Sequence, residues 1–202
     1  MLREWISRGI VDWIAWAVLC VQMPIPLFWL AVHPFINFWR RRPWLVYSLV
    51  GPAVWILVDG LLLFFHEPLF DSRNAPPWAI TAGMFLVVAD ALFIVRIHRE
   101  LGHARLFGHA ELAEARELMH TGLYARVRHP RYTGMMAAVL GACLMAGTLL
   151  LWVTAIGWGL LALLAVSIEE RELHLRFGQA YRDYAGRVPR FLPFRFWPRE
   201  DQ

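Results

Sequence analysis

Apolar residues in this chain come in long blocks divided by short arginine-rich stretches, without the two-residue alternation that marks half-buried strands. A hydrocarbon core of ~30 Å needs roughly twenty helical residues. Trp13 to Val32 supplies that length, and Gln22, Pro24 and Pro26 predict a kink within it. Trp44 to Phe65 and Trp78 to Val95 predict a second and a third span, joined by a polar turn at 66–77. Residues 97–119 mix His, Arg and Glu with Leu and Phe, as in an amphipathic segment lying at the membrane interface. Met135 to Ile168 is almost wholly apolar and would be about 51 Å long as one helix, too long for one crossing. It reads as a tight helical hairpin with two short arms, turning near Gly147 and Thr148. The expected fold is therefore an all-α integral membrane protein of about five transmembrane helices. It divides into residues 1–119, with three spans and the interfacial segment, and 120–202, a core with the hairpin and a cytosolic C-terminal segment.

Composition sharpens this picture. Apolar residues make up 58% of the 202 residues and there are eleven Trp, more than a soluble domain of this size carries. All twenty basic residues are Arg and the net charge is +4, spread over loops, which fits lipid headgroups rather than nucleic acid. Cys20 and Cys143 lie inside apolar runs, so neither a disulfide nor thiol chemistry is implied. The first apolar block, preceded by Arg3 and Arg8, lacks a small-residue cleavage site and reads as a retained helix rather than a signal peptide. Three Arg lie between the first two spans, seven between Arg96 and Arg131 and seven between Arg171 and Arg199. The 66–77 turn holds one and the stretch before the first helix two. The rich regions should face the cytoplasm, with the N-terminus outside and the C-terminus inside.

The most chemically loaded run is His120–Gly134, H-T-G-L-Y-A-R-V-R-H-P-R-Y-T-G, at the mouth of the hairpin. Pro130 predicts a helix start, with Arg128 and His129 just before its positive end, where a charged cofactor can be held without stranding charge in lipid. The second arm runs into Glu169-Glu170-Arg171-Glu172. On a helix Glu170, Leu173, His174, Phe177, Tyr181 and Tyr184 then share one stripe. Acids at a membrane boundary are commonly solvated partners of neighbouring Arg. Here the aromatic stripe and the Pro-flanked Arg187-Val188-Pro189-Arg190 follow on the same side as the first run. His98, His103 and His109 are spaced by five and six and do not line one helical face, so no metal site is expected. Asp59 and Asp90 are charges inside spans, about 22 Å and about 10 Å from the cytoplasmic ends of their helices, too far apart in depth to pair. Asp90 is the better candidate for lining a pocket, and Asp59 for bonding to a neighbouring helix. No P-loop, G-x-G-x-x-G or fixed-period repeat is present, which excludes a Rossmann-type cofactor domain.

Together, H-x-G-x-Y-x-x-x-R-H-P-x-Y-x-G, a hydrophobic hairpin, and E-E-x-x-L-x-x-x-F-G-x-x-Y-x-x-Y-x-x-R-V-P-R-x-L-P resemble the isoprenylcysteine carboxyl methyltransferase and phospholipid methyltransferase family of integral membrane enzymes. The resemblance covers residues 120–193. It implies S-adenosylmethionine as methyl donor, held on the cytoplasmic side of a bacterial or archaeal cell membrane, and a lipophilic or small acceptor: a carboxylate, an amine or a thiol. It places His120, Gly122, Leu123, Tyr124, His129, Pro130, Tyr132, Glu169 and Tyr181 around the cofactor, and Arg128, Glu170 and Arg187 near the reacting groups. An Arg would orient a carboxylate acceptor, whereas an amine or thiol would need a base, for which a Glu of raised pKa is available. Two other readings remain open: an NADPH-dependent reductase, since sterol reductases carry a similar R-H-P-x-Y motif, and a non-catalytic lipid-binding protein. The E-E-x-x-L helix favours the methyltransferase. The acceptor's identity and the oligomeric state are not legible in the sequence.

Overall fold

The computed structural model describes residues 9–71, 74–101, 112 and 118–193, with only the backbone of Glu100 and Leu101. The described residues hold helices α1 (Ile10–Gln22), α2 (Pro24–Val32), α3 (Ile36–Arg40), α4 (Pro43–Leu45), α5 (Gly51–Phe64), α6 (His66–Leu69), α7 (Pro77–Leu101), α8 (Pro130–Ala146), α9 (Leu149–Phe177) and α10 (Gln179–Arg187), with no strand among them. The interfacial segment expected over 97–119 falls largely outside the described residues, and His103 and His109 with it.

Among the described residues, four helical stretches are long and apolar enough to cross a membrane: Ile10–Arg40, Pro43–Phe64, Pro77–Arg99 and Leu149–Phe177. The first breaks at Met23, because Pro24 and Pro26 supply no N–H to the preceding turn, and again at the 3-10 turn His33–Phe35 around Pro34. Ahead of Pro52, which has no N–H for the Ser48 carbonyl, the second span widens into a π turn at Val46–Val50. Ile56, Phe64, Phe85, Leu92, Leu149 and Ile156 stand exposed along the outer faces, as lipid-facing side chains should.

The first arm of the expected hairpin is α8, which is not among these four. It has 17 residues, about 25 Å at ~1.5 Å per residue, and is mostly buried among its neighbours. It packs most extensively against α7. The two run antiparallel and close: a Cβ on Gly83 would lie 2.5 Å from the Gly141 carbonyl oxygen, and one on Gly141 2.6 Å from that of Gly83. Gly147, with φ +67°, ends α8 in the left-handed conformation and Thr148 precedes α9, so the hairpin turns at the two residues named from sequence. Thr148 Oγ1 donates to the Leu69 carbonyl (2.6 Å), and the Asp71 N–H donates to that of Ala146 (3.2 Å), fixing the turn to the 66–75 connection. The second arm is not short. It continues unbroken through the acidic cluster to Phe177 for 29 residues, because Glu, Arg and Leu sustain a helix as well as the apolar run does.

Candidate active site

Two segments distant in sequence are joined at the end of the bundle opposite Gly147. On one side the 3-10 turn Gly122–Ala125, entered through Gly122 at φ +60°, leads to Arg128, His129 and the start of α8 at Pro130. On the other, α9 passes Glu169 and Glu170, breaks at Gly178 and turns into α10, after which residues 188–193 run as an irregular strap. The Arg128 N–H donates to the Pro189 carbonyl (2.8 Å), the His129 N–H to that of Arg190 (2.9 Å), and Thr133 Oγ1 to that of Phe191 (2.7 Å). The R-H-P and R-V-P-R motifs are therefore physically one element.

Glu170 is the hub of this element. Its Oε1 accepts from His129 Nε2 and lies beside Arg128 Nη2, each at 3.1 Å. Its Oε2 accepts from Nε (2.9 Å) and Nη2 of Arg190. His129 Nε2 thus carries the proton it donates. Arg128 Nη1 reaches the Ala185 carbonyl (3.1 Å), tying the hub to α10. The carboxylate holds the Arg190 guanidinium still more firmly protonated than usual.

The aromatic stripe forms as expected from its spacing. Tyr181, Tyr184 and Val188 pack with Leu118, Leu173 and Phe177, and the His174 ring meets Tyr181 edge-on at 4.7 Å. Tyr184 Oη donates to the Tyr124 carbonyl (2.8 Å). Burial pushes the Tyr184 hydroxyl up to about 12, and the Tyr181 hydroxyl rises for the same reason, so both stay protonated at neutral pH.

Glu169 stands differently. One helical step round from Glu170 and more exposed, it has its Oε2 3.7 Å from His129 Nδ1 and 4.0 Å from His33 Nε2, with no hydrogen bond of its own. Around the two acids, Tyr132 Oη, Tyr181 Oη, Arg128 Nε and His33 Nδ1 are buried without a hydrogen-bond partner. Buried polar groups are nearly always hydrogen-bonded, so a cluster of such orphans calls for a water, an ion or a ligand as partner. Donors, a free carboxylate and aromatic rings beside one another fit S-adenosylmethionine, which presents an adenine, ribose hydroxyls, an amine and a carboxylate.

Of the residues singled out from sequence, Arg128, His129, Pro130, Tyr132, Glu169, Glu170 and Tyr181 come together at the hub, and Tyr124 borders it through its carbonyl. Leu123 is buried within the turn. Gly122 and His120 are exposed, with His120 Nδ1 3.0 Å from the Leu118 carbonyl. Arg187 is not brought to the hub: it is exposed, and its Nε donates to the Asp183 carbonyl within the last turn of α10. Arg190 occupies the place beside the acid instead. Sequence reasoning quoted Arg190 in the motif without singling it out.

Sequence reasoning also missed a buried triad one turn deeper. Gln22 Nε2 donates to Asp90 Oδ2 (2.7 Å), while Arg131 donates to Asp90 Oδ1 (3.3 Å) and to Gln22 Oε1 (2.9 Å). Asp59 instead shares a hydrogen bond with Cys20 of α1, so the two intramembrane acids do not meet. Among the described residues no three His, Cys, Asp or Glu side chains converge as a metal site.

The sequence model of the phospholipid methyltransferase family matches residues 78–180, from the start of α7 to the first two residues of α10. A methanethiol S-methyltransferase of Mycobacterium tuberculosis (strain ATCC 25618 / H37Rv) is 42% identical over 77 residues. That stretch is 38% of this chain and 29% of the relative, so the match spans under a third of that protein. No solved structure matches. The family match covers half of the chain and takes in the R-H-P turn, the hairpin and the Glu169-Glu170 cluster: this chain belongs to the phospholipid methyltransferase family of integral membrane methyltransferases.

Proposed function

We propose that the protein transfers a methyl group from S-adenosylmethionine to a small or lipophilic acceptor at the cytoplasmic face of the membrane. The observation that carries this reading is the joining of R-H-P to R-V-P-R around Glu170, with unpartnered Tyr132 and Tyr181 hydroxyls beside it. When bound, the cofactor supplies an electrophilic methyl group on a sulfonium. Tyr132, Tyr181 and Arg128 hold it through their free polar atoms, and Glu169 takes its hydroxyl or amine groups. Glu170, with both oxygens engaged, keeps the strap closed over the site and excludes water rather than acting as a base. Arg40, Arg128, Arg131, Arg176 and Arg190, each paired with an acid, lie toward the same end of the bundle, which supports a cytoplasmic location by the positive-inside rule.

Among carboxylate, amine and thiol acceptors we favour the thiol, the class named in the mycobacterial relative. Incubating purified protein with methyl-labelled donor and either an alkanethiol series or a lipid extract tests the reading. Label should appear in a thioether. Label confined to lipid amines or carboxylates would replace the thiol, and no label in any fraction would overturn the activity.

A further inference from the structure

A cavity of about 630 Å³ lies between the end of the first span and the polar half of α9, and of the groups described around the two acids His33 alone lines it. His33, Pro34, Ile36 and Arg40 border it on one side, and Ile168, Arg171, Glu172, Leu175 and Arg176 on the other. Its walls are thus apolar near the membrane and rimmed by three guanidiniums. His33 is its deepest polar group, only 4% exposed.

The His33 ring is held but not bonded. Trp29 stacks on it at 4.8 Å and 26°, and the Pro34 turn fixes its backbone. The groups facing it are Glu169 and Glu172 of α9, Arg40 at the end of α3, and His129 across Glu169. Glu169 Oε2 lies 4.0 Å from Nε2 and Glu172 Oε2 lies 4.0 Å from Nδ1, both beyond hydrogen-bond reach. Glu172 is itself paired with Arg40 at 2.8 Å. A buried imidazole with an unpartnered nitrogen, bordering this cavity and separated from His129 by the Glu169 carboxylate, is placed to accept a proton.

We infer that this cavity is the acceptor site, that it takes an alkanethiol, and that His33 removes the thiol proton. This rests on the methyl-transfer reading above and adds the binding site and the base. The charge pattern and the unbonded imidazole together point to the thiol. Arg40, Arg171 and Arg176 against the single Glu172 favour a group that becomes an anion and disfavour an ammonium, while a carboxylate would need no base. In the step, the thiol S–H proton passes to His33 and a sulfur lone pair forms the new S–CH3 bond. The donor's C–S bond breaks with its electron pair going to the departing sulfur, leaving two neutral thioethers and one proton.

Two readouts test this. The first uses wild-type protein without donor: diethylpyrocarbonate modification of His33, followed by mass spectrometry, should slow at least fivefold in the presence of octyl methyl sulfide, while exposed His120 is unaffected. The second follows labelled methyl transfer to octanethiol over pH 6 to 10. His33→Gln should lower kcat/KM for the thiol by ~10² near pH 7, with the deficit closing toward pH 10 as the thiol ionises unaided and the donor KM unchanged. Arg171→Ala should raise the thiol KM. Methyl transfer without His33 protection, or a deficit equal at every pH, would overturn the inference and leave the methyltransferase reading intact. Protection of His33 in a protein that transfers no methyl group would uphold the cavity and overturn that reading instead. Should His33→Gln fail to fold, His33→Asn takes its place, and the protection experiment stands without either.

Discussion

At the scale of single residues, Glu170 and Glu169 share a motif and divide its work. Glu170 is buried and met by Arg128, His129 and Arg190, whereas Glu169 is more exposed and has no hydrogen bond. Breaking a buried ion pair costs about 3–5 kcal/mol. Arg190 keeps 42% of its side chain in solvent, so Glu170→Gln should destabilise by about 2 kcal/mol, against under ~0.5 kcal/mol for Glu169→Gln. Thermal unfolding in detergent reads the difference, and equal shifts would remove Glu170 from the hub. Tyr132→Phe deletes only an unpartnered hydroxyl. It should leave stability unchanged yet weaken S-adenosylhomocysteine binding by about 1 kcal/mol, and unchanged affinity would take Tyr132 out of the site. Tyr184 offers a pH test. Its hydroxyl is raised in the folded state to about 12, above the unfolded value of ~10. Its contribution is therefore complete below pH ~10 and disappears as pH climbs through 12. Docking of α10, followed by limited proteolysis, should be flat from pH 6 to 9 and should weaken beyond 10. Tyr184→Phe should flatten that alkaline loss.

At the scale of elements, the hairpin and the stripe were legible because both are local. An αL residue at Gly147 and a three-to-four-residue aromatic spacing need no knowledge of the rest of the chain. The Asp90–Gln22–Arg131 triad was not legible, because it depends on how α1, α7 and α8 are rotated against one another. The choice of Arg190 over Arg187 was hidden for a related reason. Arg187 is still inside α10 and bonds to its own helix, and only the chain beyond Val188 is free to lie along His129. His33 carries no motif, and its meaning comes from carboxylates on a helix remote in sequence. The glycine that closes the first motif is explained by the triad: a Cβ on Gly134 would collide with Asp90 Oδ1. Gly134→Ala should therefore destabilise by ~1–3 kcal/mol despite its higher helix propensity. A gain in stability would mean that the triad is free to move.

At the scale of the whole molecule, the two ends of the bundle differ in kind. One end carries the hub, the triad and the His33 cavity, while the other holds the Gly147 turn against the 66–75 connection. In a background lacking Cys20 and Cys143, a single Cys at Asn74 and one at Arg182 should label from opposite sides of the membrane. Labelling from one side would require α8 and α9 to be redrawn. Everything at the first of these ends rests on the joined motifs binding a sulfonium methyl donor. Calorimetric titration of the purified protein with S-adenosylhomocysteine, and in parallel with NADPH, tests this most directly. S-adenosylhomocysteine should bind saturably, Glu170→Gln should weaken that binding at least tenfold, about 1.4 kcal/mol, and NADPH should not bind. Binding of NADPH alone, or of neither ligand, would contradict it.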